Sequence, residues 1–399
     1  MRRWTSAPRA LELSSPRLAN WRRSVITLYV ATCGAVVVQR GILGPQHSVF
    51  KIFRQSYWHL LAGRNLYAPY PAEQGGLPSD LFKYSPTAGF LFAPFAIPPY
   101  GVALFAWSLL GALLLYKSLT LVLEPRRALL AAVLVFPDLF ASLQACSSNA
   151  QIAALIILAY ALLERRHQLG GAVAIVVGAA MKIFPLAALT FALFQPRRRR
   201  FACVVCGVAL VALLLPLLVT PPMLLAQQYR WWYAIEHSDA ADLAFGLSAM
   251  SMVRHWVGGT WPNWPVQLAG TMALLAPLAA RRNRWADPEF RLGFLTSLLG
   301  FAVLFNHQAE RSSFVIASAG VAIWCVSPPR GTNAAFVRAV VSATALVGLR
   351  TFPLFVVWLL MQAELYGWRF GALVTSRPEH EPNEVAELRA PAVASRRAG

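Results

Sequence analysis

Four consecutive arginines, Arg197-Arg198-Arg199-Arg200, open directly onto FACVVCGVALVALLLPLLVT at 201–220, a run without a single charged residue. A helix of about 20 residues rises about 30 Å, the thickness of the hydrocarbon core of a bilayer. A basic cluster abutting such a run marks its cytoplasmic end. The same junction recurs along the chain: Arg22-Arg23 precede the apolar stretch 24–40, Arg126-Arg127 precede 128–143, Arg165-Arg166 follow 148–163, and Arg281, Arg282 and Arg284 follow 266–280.

Composition agrees. Of 399 residues 57% are hydrophobic and 13% charged, with a mean hydropathy of +0.51, whereas a soluble domain carries about 25% charged residues. The net charge of +19 sits in short clusters between apolar runs, not in a basic domain or an aromatic-interleaved groove. It therefore reads as positive-inside patterning and excludes nucleic acid as a partner. The five cysteines lack the partners of a zinc site: Cys203 and Cys206 lie on an apolar run with no second pair or histidine, and read as small helix-packing residues. No cleavable leader is expected, and the first apolar run is read as an uncleaved span.

The expected fold is an all-α polytopic membrane protein, a bundle of about twelve membrane segments with short re-entrant or juxtamembrane helices. Residues 1–23 form a basic cytoplasmic N-terminus, 24–370 a single transmembrane domain, and 371–399 a disordered cytoplasmic tail. Both termini fall on the arginine side, and two outer loops, 41–84 and 221–265, carry most of the polar residues. Residues 168–195 are flanked by basic clusters on both sides, so they enter and return. Each limb of about 14 residues reaches only about 21 Å, short of the roughly 30 Å core. The turn Met181-Lys182-Ile183-Phe184-Pro185 is therefore expected within the membrane profile or in a polar cavity.

Ionisable residues in or near a bilayer are expensive and mark candidate sites. In the first outer loop, 49–63 reads as an amphipathic interfacial helix stopped by Gly63. Ser79-Asp80-Leu81-Phe82-Lys83-Tyr84-Ser85-Pro86 then leads into a short apolar helix over 85–97, with Ser85 as cap and Pro86 in the first turn. Asp80 and Lys83 stand beside that helix start, either as a structural pair or as part of a site. Lys182 either snorkels to the interface or binds an anion. Glu310 and Arg311 form either an ion pair or part of a phosphate site. The tryptophans Trp231, Trp232, Trp256, Trp261 and Trp264 of the second outer segment read as interfacial, with sugar stacking as the other reading.

Several of these stretches together resemble glycosyltransferase family 87. They are Gly63-Arg64-Asn65-Leu66-Tyr67, then Tyr84-Ser85-Pro86-Thr87, Ser148-Asn149-Ala150-Gln151, Gly170-Gly171 with Lys182-Ile183-Phe184-Pro185, and Phe305-Asn306-His307-Gln308-Ala309-Glu310-Arg311. The resemblance covers roughly 45–330 and implies a GT-C-like membrane enzyme. Such an enzyme moves a hexose, mannose in the usual case, from a polyprenyl-phosphate sugar to a glycan or glycolipid acceptor on the outer face of a bacterial-type inner (plasma) membrane. It also implies a carboxylate general base accepting the acceptor proton and cations at the departing phosphate. Where the family pattern carries Asp at the start of the interfacial helix, this chain has Val49. Asp80, then Glu73, are the candidate bases. Lys182, His307 and Arg311 are candidates for the phosphate, with Glu310, Asn149, Gln151, Lys83 and Tyr84 as further substrate contacts. No cofactor or dedicated metal site is expected from the scattered carboxylates, with room left for one bound divalent cation. A flippase or transporter of lipid-linked glycans, and a non-catalytic relative of the family, are the alternatives. A transporter calls for matched broken helices in two halves, which the sequence does not display.

Overall fold

The computed structural model describes residues 16–44, 49–74, 81–239, 246–259, 261–327 and 351–368, together with Arg338, Ala339, Ser342, Ala343 and Leu346. Among them all regular structure is helical, as expected of a chain whose backbone polar groups must pair inside a bilayer. Helix α1 spans Pro16–Val37 and continues as a π-helical segment to Leu43. It starts eight residues before the apolar run 24–40, because Pro16 suits a first helical turn and Arg22 and Arg23 are good helix formers that extend it. The amphipathic α2 (Val49–Leu61) follows and ends at Gly63, whose φ of +69° is one that other residues avoid. After the short turn Pro71–Gln74 come α3 (Pro86–Leu91), α4 (Tyr100–Val122), α5 (Pro125–Gln144), α6 (Asn149–Glu164) and α7 (Gln168–Met181).

Beyond the turn at Lys182 the chain returns as a 3-10 helix, Phe184–Phe194, and not as an α-helix. At about 2.0 Å per residue this limb reaches about 22 Å, where an α-helix of equal length reaches about 16 Å. The stretched geometry lets 11 residues match the 14 of α7. Gly178 makes the turn feasible: a Cβ there would lie 2.9 Å from the Pro185 ring.

Then follow α8 (Arg198–Leu214, prolonged by a 3-10 turn to Leu218), α9 (Pro222–Asp239), α10 (Ala249–Val257), α11 (Trp264–Ala280), α12 (Pro288–Leu304), α13 (Phe314–Val326) and α14 (Thr351–Leu365). The segment 221–265 is thus largely helical rather than loop. The N-terminal residues 1–15, most of 328–350 and the tail from 369 lie outside the described residues.

Helix α6 is the hub. It packs on α4 and α7, while α13 packs on α5 and α12, and its side chains are buried nearly all round. A helix buried on every face needs no polar stripe, and α6 has none beyond its first turn. Helix α8 is the opposite case, equally apolar but with Leu210, Val211, Leu213 and Leu214 exposed, as suits a helix whose solvent is lipid. Among the described residues four helices are long and apolar enough to cross a membrane: Pro16–Leu43, Tyr100–Val122, Pro125–Gln144 and Arg198–Leu218. Shorter apolar helices, 10–17 residues long, fill the bundle between them. The chain is a polytopic helical membrane protein.

Pro216 cannot donate to Ala212, so the C-terminal end of α8 needs other donors. Leu215 N–H turns to Ala212 O. The Thr87 hydroxyl also donates to Ala212 O (2.8 Å), and the Tyr229 hydroxyl donates to Leu213 O (2.9 Å). The corner 84–87 is thereby tied to α8 and α9 together.

Candidate active site

The site is assembled where three chain reversals meet. The first is the turn between α5 and α6. Cys146 adopts a φ of +53° there, and Ser147 folds back on Ser142 through Ser147 N–H to Ser142 O (3.2 Å). This places Asn149, fully buried, at the start of α6. The second reversal is the α7 hairpin turn, where Lys182 leaves the helix with extended dihedrals. The third precedes α13: Glu310 caps the short turn Arg311–Ser313 in a reciprocal capping box with Ser313.

The three side chains converge. Lys182 Nζ donates to Asn149 Oδ1 at 2.7 Å and stands 4.0 Å from Glu310 Oε1. Asn149 Nδ2 donates to Ser312 Oγ (2.7 Å) and Ser147 Oγ (3.2 Å) and lies 3.3 Å from Glu310 Oε1, to which Ser312 Oγ donates (2.7 Å). The ammonium is 15% exposed and the carboxylate 33% exposed, so the pair lies at the wall of a partly open space and not sealed in the core. A hydrogen bond to a charged group is worth about 1.5–3 kcal/mol. That figure explains why an asparagine, which can serve lysine and carboxylate at once, occupies the junction.

The corner 83–87 lies against this cluster. Ser85 caps α3, its side chain accepting from Ala88 N–H, and both its N–H (3.2 Å) and its hydroxyl (2.8 Å) reach Ala180 O at the end of α7. Tyr84 O accepts from the Tyr67 hydroxyl (2.8 Å), Lys83 O accepts from Trp232 Nε1 (3.2 Å), and the Tyr84 hydroxyl is 3.5 Å from Ser148 Oγ. Burial pushes the Tyr84 phenol above its ordinary pKa, the Ser148 hydrogen bond opposes this, and the carboxylates of Glu310 and Glu236 add to the rise. Tyr84 therefore stays protonated and available as a donor.

The structure thus brings Lys182, Asn149, Glu310 and, through Ser148, Tyr84 together. The other described candidates make different contacts. Gln151 donates to Trp107 O (3.1 Å) and lies against Gly111, where a Cβ would approach within 2.9 Å; it is a helix-packing contact between α6 and α4. His307 Nδ1 lies 3.4 Å from Gln267 Nε2 of α11, and Arg311 is exposed. Glu73 pairs with His59 and Arg64 (2.7 and 2.6 Å) on α2 and the chain just after it. Lys83 is half-buried, and Asp80 lies outside the described residues. Val49, at the start of α2, packs on the apolar core. Sequence reasoning overlooked Ser147 and Ser312 and quoted Ser148 without a role; Trp232 of α9 also reaches this corner, at Lys83 O. Among the described residues no group of three or more His, Cys, Asp or Glu could hold a metal ion.

A sequence profile of glycosyltransferase family 87 matches residues 82–306, more than half of the chain. The chain belongs to glycosyltransferase family 87. No curated protein matches it. The match starts one residue before Lys83 and contains Tyr84, Asn149 and Lys182, whereas Val49, Asp80 and Glu310 lie beyond it. The family makes the protein a membrane glycosyltransferase, acting on a sugar donor and an acceptor.

Proposed function

We propose that this family 87 protein is a GT-C-type hexosyltransferase that takes its sugar, mannose in the first instance, from a polyprenyl-phosphate donor. The acceptor is a glycan or glycolipid at the outer face of a bacterial-type plasma membrane, with both termini of the protein cytoplasmic. The observation that carries this reading is Lys182, a cation held 2.7 Å from Asn149 at the turn of a hairpin too short to cross a bilayer. A lipid phosphate is an anion that its tail holds at the membrane. An ammonium poised there stabilises the negative charge that grows as the phosphate leaves the anomeric carbon. Arg311 opens the turn that Glu310 caps, and His307 lies three residues before that cap; both are kept as further phosphate contacts. The acceptor hydroxyl needs a base. Asp80, three residues before Lys83, fills that role, with Glu73 as the second choice, and Tyr84, Asn149, Glu310 and Lys83 orient the substrates.

The test is transfer in vitro by purified protein, with a panel of polyprenyl-phosphate sugars and release of polyprenyl phosphate as readout. Lys182→Ala is expected to lower kcat about 10²–10³-fold, the range seen when one charge-stabilising donor is removed. Asp80→Asn is expected to lower it comparably, and full activity in Asp80→Asn removes Asp80 as the base. Sugar moved across a vesicle membrane with its lipid still attached, and no polyprenyl phosphate released, would instead make the protein a transporter.

A further inference from the structure

On α2 and the turn after it lies an open cleft of mixed lining, of about 520 Å³, bordered by Gln55, Trp58, His59, Leu61, Arg64 and Glu73. Its volume falls in the range of small-molecule sites, about 300–1,000 Å³. Three features define what it can hold. Trp58 presents an indole that is 42% exposed, and Gln55 lies three residues away on the same helix face. The charged groups cancel: Arg64 Nη1 donates to Glu73 Oε1 (2.6 Å), and Glu73 Oε2 is bonded to His59 Nε2 (2.7 Å). His59 is itself buried against Tyr70, with ring centroids 4.0 Å apart, so the carboxylate is anchored and not free to swing.

An anion entering this cleft meets Glu73, and a cation meets Arg64. A neutral molecule whose hydroxyls both donate and accept satisfies the two at once, while its C–H face covers the indole. That combination describes a sugar ring. The cleft is also braced to the catalytic corner. The Gln228 side-chain amide donates to Arg64 O (2.7 Å) and accepts from Leu66 N–H (3.1 Å), and Tyr67 reaches Tyr84 O (2.8 Å). A ligand seated here is registered, through the short stretch 64–67, against the corner that borders Lys182.

We infer that the Trp58–Gln55–Arg64–Glu73 cleft is a binding site for neutral carbohydrate, the subsite that holds the acceptor glycan during transfer. As the acceptor subsite it rests on the transferase reading; as a carbohydrate site it stands by itself.

The experiment is saturation-transfer NMR on the full-length protein in detergent, with mannobiose and maltose as the probes. Wild type is expected to show contact to at least one disaccharide. Trp58→Ala is expected to weaken that binding at least tenfold, and Trp58→Phe to retain most of it. Thermal midpoints of the two variants, measured alongside, show that both are folded. Lys182→Ala, which addresses the phosphate end, is expected to bind the disaccharide as wild type does. No contact to either disaccharide in wild type, or undiminished contact in folded Trp58→Ala, overturns the inference. Binding that depends on Trp58 in a protein that releases no polyprenyl phosphate from any donor overturns the transferase reading and leaves the carbohydrate site standing.

Discussion

Glu73 is a carboxylate with both oxygens engaged, one by His59 and the other by Arg64. The hydrogen bond from His59 first, and that from Arg64 next, hold its pKa below the ordinary value of 4.5. A depressed carboxylate pKa adds stability above the ordinary value, and the contribution is lost as the pH falls through the depressed one. Hydrogen exchange at the amides of residues 72–74, corrected for its intrinsic rate, should rise as the pH falls below 4.5. In Glu73→Gln the step should vanish. At this scale the sequence revealed much of the local chemistry. Ser85 as a cap, Pro86 in the first turn and Gly63 as a stop depend on neighbours a few residues away, and each stands as its residue type requires. The partners of Lys182 were not legible. Asn149 is 33 residues distant and Glu310 more than a hundred, and their meeting follows from how α6, α7 and the turn before α13 pack.

The hairpin of α7 and its 3-10 return illustrates the element scale. Its shortness could be read from the basic clusters that bracket it, because rise per residue converts a residue count into a depth. The 3-10 form of the second limb could not, since apolar content is the same for either helix. Gly178 sits where the two limbs press closest. Gly178→Ala forces its new methyl to within 2.9 Å of Pro185, and overpacking of this kind costs about 1–3 kcal/mol. Reduced thermal stability of the purified variant is expected, with loss of activity beyond that of the unfolded fraction, because the displaced turn carries Lys182. A Gly178→Ala variant as stable and as active as wild type would show that the turn is more yielding than its packing indicates. The C-terminal end of α8 is a companion case. Thr87 and Tyr229 serve carbonyls near the Pro216 break, a requirement that proline announces in the sequence without naming who meets it.

At the scale of the whole molecule, the arginine clusters and the polar corner lie at opposite ends of the chain's reversals. The turn Gln195–Arg200 and the bidentate Glu164–Arg291 pair (2.7 Å for each bond) belong to the basic side, and Lys182 to the other. If the basic side is cytoplasmic, as proposed, a fluorescent protein fused after residue 399 should glow and an alkaline phosphatase fused there should stay inactive. Phosphatase inserted in the outer segment 240–245 should be active. The reverse pattern would place the catalytic corner inside the cell. The membrane nature of the chain was legible from uninterrupted apolar runs. The number of crossings was less so, because several helices of the bundle, α6 and α7 among them, are too short for length alone to define a span.

The 4.0 Å approach of Glu310 to Lys182 bears on turnover. The lysine carries a tethered counter-ion of its own, and a tethered group competes at a high effective concentration with one that diffuses. In the proposed reaction, once the sugar has gone, the spent lipid phosphate has to hold the ammonium against a carboxylate that cannot leave. Product inhibition by free polyprenyl phosphate should therefore be weak in wild type, and several-fold stronger in Glu310→Gln.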